Sequence, residues 1–259
     1  MNVLERFSLQ NKVVVLTGAG GIYGRGLATA LAEAGATLVI ASRDVSRLEH
    51  VAEEENRRGF KVVCEGYDQG QEESILSLRD RVLDRFGRVD GLVNNSVLRP
   101  MKGPEDPSSS WEESMRVNST GLFLMIRAFG PPMCRRREGS IVNIGSIYGI
   151  VGPSLELYAE AKLPIPPPDY YFHKSGMINL TRYYAGCFGA DQVRVNCISP
   201  GGFFTDQPEA FVKRYAEHTM LGRMAMADDV WGAVIFLLSD SSRYVTGANL
   251  PVDGGFTAK

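Results

Sequence analysis

Tyr170 and Lys174 are the residues in this sequence whose types and spacing most directly suggest chemistry. They stand four positions apart, and Met177, Ile178, Leu180, Tyr183, Tyr184 and Phe188 continue the stretch at helical spacing. On a helix the ammonium lies one turn from the phenol on the same face, where it favours the phenolate and suits the pair to proton exchange. Pro166, Pro167 and Pro168 bar helix before the pair, Asp169 suits an N-cap, and Gly186 and Gly189 can loosen and end the helix. A rival pair, Tyr158 and Lys162, has the same spacing. The prolines from Pro164 onward forbid a long helix through that pair, so its context favours Tyr170.

These side chains need a frame to hold them. Lys12 to Thr17 (KVVVLT) is a nearly continuous apolar run, as expected of a parallel strand covered on both faces. Comparable runs begin at Thr37, Phe60, Val89, Ser140, Val193 and Asn249, which gives seven strands. Helical patterns lie between them at 24–34, 45–58, 71–86, 111–130, 170–188 and 228–239. Strict alternation implies an α/β domain spanning 1–259, a doubly wound parallel sheet with helices on both faces. A (β/α)8 barrel has similar length but needs eight units, and the glycine-rich first turn is better explained by a Rossmann-type dinucleotide fold. The run LPIPPP at Leu163 to Pro168 reads as a rigid bend in a loop.

That first turn, TGAGGIYGRG from Thr17 to Gly26, sets backbone N–H groups and a helix N-terminus where a pyrophosphate can be held. It resembles the TGxxxGxG turn of the short-chain dehydrogenase/reductase family, with Thr17, Gly18 and Gly24 in place. Ile22 stands where the middle glycine is usual and Tyr23 follows it, while Gly20 and Gly21 supply backbone freedom beside them. The resemblance, nearest to 3-oxoacyl reductase-like members, covers roughly residues 10–257 and implies roles for further positions. Ser42 falls where NAD-dependent members usually carry Asp, and Arg43 where NADP-dependent members often carry Arg. NADP(H) is therefore favoured and NAD(H) possible, with Asp44 the counterargument. Asp68 matches the adenine-contacting Asp, and Asn94-Asn95-Ser96-Val97 stands for NNAG.

Asn118 in RVNSTG matches the helix asparagine that supports a water in the proton relay. Ser146 matches the serine whose hydroxyl meets the reacting carbonyl. Tyr170 would exchange the proton, and Lys174 would bind the nicotinamide ribose. Pro200, Gly201 and Thr205 in SPGGFFT resemble the segment that meets the nicotinamide. The step from Ser146 to Tyr158 is closer to the family's usual one than that to Tyr170. KSGMINLTR after Lys174 nevertheless resembles the continuation past the catalytic Lys, which implies an insertion within 147–169. Residues 203–220 are expected to form a substrate lid.

Substrate identity resides where the resemblance is weakest. Arg99 lies in a loop that borders the active site in relatives and could pair with a carboxylate or phosphate, or be a solvated surface residue. The insertion, with Tyr148, Glu156, Tyr158 and Glu160, could wall the pocket and bind a polyhydroxylated molecule. The resemblance implies an NADPH-dependent reductase of a small polar carbonyl compound, reversible as an alcohol dehydrogenase. A 3-oxoacyl thioester reductase and a non-catalytic NADP(H)-binding regulatory protein are the alternatives. It also implies a homodimer or homotetramer, with Leu122 to Phe129 and Met177 to Tyr184 as candidate faces.

The totals fit small-molecule partners. A net charge of −2 gives no electrostatic reason to expect nucleic acid or an anionic membrane. Cys64, Cys134, Cys187 and Cys197 form no CxxC pair and no metal-ligand spacing, so no metal is expected and the thiols read as reduced. The first ten residues lack the apolar core of a signal peptide, which makes the cytoplasm the expected compartment.

Overall fold

The computed structural model describes residues 2–259, and of Ile22 the backbone alone. Strands β1 (Val13–Thr17), β2 (Thr37–Ser42), β3 (Lys61–Gly66), β4 (Gly91–Asn94), β5 (Gly139–Ile144), β6 (Val193–Pro200) and β7 (Asn249–Val252) form one sheet in the order β3-β2-β1-β4-β5-β6-β7. All six pairings are parallel. The helices between them are α1 (Ile22–Glu33), α2 (Val45–Arg57), α3 (Glu72–Phe86), α4 (Ser108–Ser114), α5 (Gly121–Arg136), α6 (Leu155–Glu160), α7 (Pro168–Phe188), α8 (Glu209–His218) and α9 (Trp231–Leu238).

Alternation along β1 shows why the sheet is covered twice. Val13 and Val15 join a core with Leu78 of α3, Phe129 of α5 and Met177 of α7. Val14 and Leu16 face the opposite way, into a core with Leu27 of α1, Leu48 of α2 and Val234 of α9. A third cluster lies outside the sheet, where Tyr148, Leu157 and Tyr158 meet Phe211, Tyr215 and Met224. Strand order runs outward in opposite senses from β1 and β4, which opens a crevice at the carboxyl ends of those two parallel strands. Pro251 sits on the edge strand β7, opposite Ser199, where a missing N–H costs no ladder bond. All four cysteines are free thiols, and among the described residues no helix is long and apolar enough to cross a membrane.

Two local expectations are corrected. Helix α7 starts at Pro168 with Pro167 as its N-cap, so Asp169 lies inside the first turn and its carboxylate turns to Ser114 instead of capping. Proline suits that first position because its absent N–H would have no helical partner. Helix α7 ends at Phe188 with Gly189 as its C-cap, as expected, and a 3-10 turn over Gly189–Asp191 then leads to a left-handed Gln192 (φ 60°). The pattern at 111–130 resolves into α4, a π-helical segment over Met115–Thr120, and α5, which passes Pro131 and Pro132 to end at Arg136. Pro132 and Met133 are buried there, and tertiary packing outweighs the lost helical bonds.

Candidate active site

A cleft of about 970 Å³ opens at the carboxyl ends of the strands. Of the residues singled out from the sequence, Gly18, Gly20, Gly21, Tyr23, Gly24, Ser42, Arg43, Asp68, Asn95, Ser146, Tyr170, Gly201 and Thr205 line it. Lys174 and Asn118 are buried and do not line it, Asn118 bordering a second, smaller cavity with His173 and Met177, and Pro200 is held in β6 against Val252. The side chain of Ile22 lies outside the described residues.

The turn after β1 is built around missing Cβ atoms. Gly18 has φ +69°, and a Cβ on Gly24 would come within 2.1 Å of the Gly18 carbonyl oxygen. Thr17 ties this turn to the loop after β4: its hydroxyl oxygen accepts from the Asn95 N–H at 3.0 Å and the Ser96 N–H at 3.1 Å. Asn95 Nδ2 donates to the carbonyls of Thr17 and Gly18, each at 3.2 Å. No side chain caps α1 at Gly21, so its first N–H groups are left for an anion. A dinucleotide pyrophosphate fits this cradle.

Arg43, exposed, carries the cleft wall beyond β2 and makes no ion pair among the described residues. Asp44 is occupied as the N-cap of α2: it accepts from Ser46 Oγ at 2.6 Å and pairs with Arg47 at 3.0 Å. Asp68 closes its own turn by accepting from the Gly70 N–H at 2.8 Å. Sequence reasoning did not single out Tyr67, whose hydroxyl is pushed up to about 12 by burial and shares a 2.9 Å hydrogen bond with Ser96. Its only signal was an aromatic residue ending a strand run.

At the other end of the cleft, Ser146 leaves β5 in extended conformation and its hydroxyl accepts from the Tyr148 N–H at 3.2 Å. Lys174 Nζ lies 5.7 Å from the Tyr170 ring centroid and donates to the Ile144 carbonyl at 2.6 Å. Burial lowers the Lys174 ammonium from its ordinary range, and Tyr170 acts in the opposite sense. Ser146 and Tyr170 thus line one cleft, and Lys174 ties the end of β5 to the Tyr170 ring. Asn118, on the π-helical segment, accepts from the Leu98 N–H at 2.8 Å and donates to the Leu98 carbonyl at 2.7 Å. It also donates to Ser114 Oγ at 3.0 Å, and Ser114 donates to Asp169 Oδ2 at 2.5 Å. This chain fixes the loop after β4 relative to α7. Reading Asp169 as a cap concealed its contact with Ser114, distant in sequence.

The rival pair is not held as a pair. Tyr158 is buried on α6, bonded to the Tyr148 hydroxyl, and burial raises both phenols. Helix α6 stops at Glu160, and Lys162 beyond it is exposed with φ 53°. Instead α6 roofs the cleft together with α8. Tyr158 and Phe211 rings lie 5.5 Å apart, and Arg214 pairs with Glu160 at 3.3 Å and Glu156 at 3.9 Å. Tyr215 anchors the segment before α8 by accepting from the Gly202 N–H, and the Phe203 ring packs 4.6 Å from that of Tyr23 at a tilt of 40°.

Known proteins share this arrangement of chain. Residues 18–257 match the sequence profile of the family described as enoyl-(acyl carrier protein) reductase. The sequence is 32% identical over 263 residues to 2-(S)-hydroxypropyl-CoM dehydrogenase 3 of Xanthobacter autotrophicus, covering 96% of this chain and 98% of that one. It is 32% identical over 259 residues to the probable galactose dehydrogenase of Rhizobium meliloti, covering 95% of each. Among solved structures, a gluconate 5-dehydrogenase from Burkholderia cenocepacia in complex with NADP and tartrate superposes with a TM-score of 0.90 at 29% identity, with 100% of each chain covered.

Proposed function

Because the chain belongs to the short-chain dehydrogenase/reductase family, and so is an NAD(P)-dependent oxidoreductase of alcohols and carbonyl compounds, we propose that it interconverts a carbonyl and a secondary alcohol on a small polar, sugar-like substrate, with NADP(H) as its preferred carrier and Tyr170 as proton donor and acceptor. The observation that carries this reading is that Tyr170 and Ser146 line the same cleft as the glycine turn at Gly18 to Gly24 and Arg43.

The turn and the N-terminus of α1 would hold the pyrophosphate, and Arg43 the adenosine 2′-phosphate. Occupation of Asp44 as a helix cap supports Arg43 in that role. Reduced nicotinamide, when bound, supplies the hydride that converts a carbonyl carbon to a carbinol. The rest is done by the protein. Ser146 donates its hydroxyl hydrogen to the carbonyl oxygen and steadies charge as it develops. Tyr170 gives that oxygen its proton in reduction and takes it back in oxidation. Lys174, fixed by its bond to Ile144, supplies a positive charge beside the phenol as the proton leaves. Helices α6 and α8 would limit water above the reacting carbon, with α8 inside the 203–220 lid and α6 inside the insertion.

The sugar-like substrate class draws support from the names of the galactose and gluconate dehydrogenases. A homodimer or homotetramer would cover Phe123, Phe172 and Tyr183, apolar side chains left 37%, 60% and 65% exposed on α5 and α7. NADPH oxidation over keto sugars, keto acids and simple ketones tests the reading, with Tyr170→Phe and Tyr158→Phe alongside. Tyr170→Phe is expected to lower kcat by about 10²- to 10⁴-fold with its melting temperature retained. Tyr158→Phe is expected to cost about 1 kcal/mol of stability through its lost bond to Tyr148. Turnover that survives in Tyr170→Phe and disappears in Tyr158→Phe would reverse the assignment.

A further inference from the structure

The cleft contains a cation that proton exchange does not require. Arg99, in the loop after β4, lines the cleft with its guanidinium 4.9 Å from the centroid of the Tyr170 ring. Among the described residues its side chain has neither an ion pair nor a hydrogen bond. Acidic residues line the same cleft but none pairs with Arg99: Asp44 is bonded to Ser46 and Arg47, Asp68 to Gly70, and Asp169 through Oδ2 to Ser114 while its Oδ1 is buried without a hydrogen-bond partner.

The backbone that carries this charge is held in position. Asn118 grips both the N–H and the carbonyl of Leu98, the preceding residue. Lys102 Nζ donates to the Arg99 carbonyl at 3.3 Å and brings a second cation to the same wall. An aromatic face offers a guanidinium partial compensation. Its five N–H donors remain matched to a planar oxyanion, which can bind them in two parallel bonds. A group that met Arg99 from inside the cleft would lie close to the phenolic oxygen of the same tyrosine.

We propose that Arg99, with Lys102 beside it, binds a carboxylate of the substrate, so that this oxidoreductase acts on oxo acids and hydroxy acids whose carboxylate stands a few bonds from the reacting carbon. The inference rests on the carbonyl–alcohol reading above and names the substrate class for that site. A carboxylate held there would orient the carbonyl toward Tyr170 and Ser146, turning binding energy into alignment.

Acid and ester pairs test it whatever the natural substrate is. Acetoacetate is compared with methyl acetoacetate, and levulinate with methyl levulinate, by NADPH consumption in the wild type, Arg99→Ala and Arg99→Lys. The wild type is expected to prefer the acid of at least one pair by about 10- to 100-fold in kcat/KM, expressed in KM. That ratio is expected to collapse toward unity in Arg99→Ala, to return in part in Arg99→Lys, and to shrink with added salt. Equal use of acid and ester by the wild type overturns the proposal. So does an equal loss on both in Arg99→Ala, which would assign the guanidinium to Tyr170, or weaker NADPH binding with the ratio unchanged. Turnover of the esters alone removes the carboxylate and leaves the reductase reading standing, and turnover of keto sugars with no member of these pairs does the same, whereas turnover of nothing on either panel removes both.

Discussion

Lowering the pH should destabilise this fold through one residue, His173. It lies between Tyr170 and Lys174 in sequence, is 3% exposed, and has a hydrogen-bond partner on neither ring nitrogen. Burial, followed by the charges of Lys174 and Arg99, pushes its pKa down from 6.5 to about 3. Over that window the unfolded chain binds a proton that the folded chain refuses. Stability from this residue is therefore fully present above 6.5, and it is lost as the pH falls toward 3. Between about pH 7.5 and about pH 5 the loss from His173 alone comes to about 2 kcal/mol. His173→Leu replaces the ring with an apolar side chain, leaving no nitrogen to desolvate and nothing to protonate. Urea unfolding of both proteins at the two pH values measures the difference. The variant is expected to match or exceed the wild type near neutrality and to lack its extra acid loss. Parallel losses in the two proteins would refute the reasoning, because the ring would then be taking up its proton with no penalty from the fold.

Gly24→Ala sets a Cβ 2.1 Å from the Gly18 carbonyl oxygen and 2.6 Å from Ala19 Cα, both backbone atoms that cannot rotate away. Its melting temperature and its NADPH affinity by fluorescence titration are expected to fall together, the affinity by at least about 10-fold, whereas Gly20→Ala, whose Cβ would meet Arg47 at an ordinary 3.7 Å, should keep its melting temperature. Arg43→Ala is expected to cut the preference for NADPH over NADH by about 10-fold or more in kcat/KM, and an unchanged ratio would remove the 2′-phosphate assignment. Arg214→Ala removes the ion pairs from α8 to Glu156 and Glu160 of α6. Amide exchange over 155–160 and 209–218 is expected to quicken in both segments with little change in melting temperature, since exposed pairs contribute little to global stability.

The sheet was legible because its strands are buried on both faces, so Val13 to Thr17 and Thr37 to Ser42 appear as short apolar runs that no helix pattern imitates. The glycine turn, Ser42, Asn95 and Ser146 lie at or just past the carboxyl ends of β1, β2, β4 and β5 and line the cleft, so their places in the chain were legible together with the strands. Helices α6 and α8 were not legible. The six residues of α6 carry too little periodicity to identify it, and its burial comes from contact with Phe211 on α8 rather than from its own pattern. Asp169 shows the same limit for a polar side chain. Its residue type makes an aspartate after prolines suit an N-cap, and only the fold brings Ser114 within 2.5 Å to claim it.

The division between the legible and the hidden parts follows how the cleft is built. Groups proposed to grip the carrier and move the proton sit at strand ends or on the first turns of helices, where backbone geometry fixes them and spacing records them. Groups that would distinguish one carbonyl compound from another come from elsewhere: Arg99 from the loop after β4, Tyr158 from α6, Phe211 from α8. Their positions are set by contacts between segments far apart in sequence, such as Asn118 with Leu98 and Arg214 with Glu160. A change in these loops can therefore alter the substrate while the sheet and its strand-end residues stay as they are. On that reasoning, exchanging the charge at Arg99 should redirect selectivity between acid and ester without moving the glycine turn, and exchanging a glycine of the turn should weaken every substrate alike.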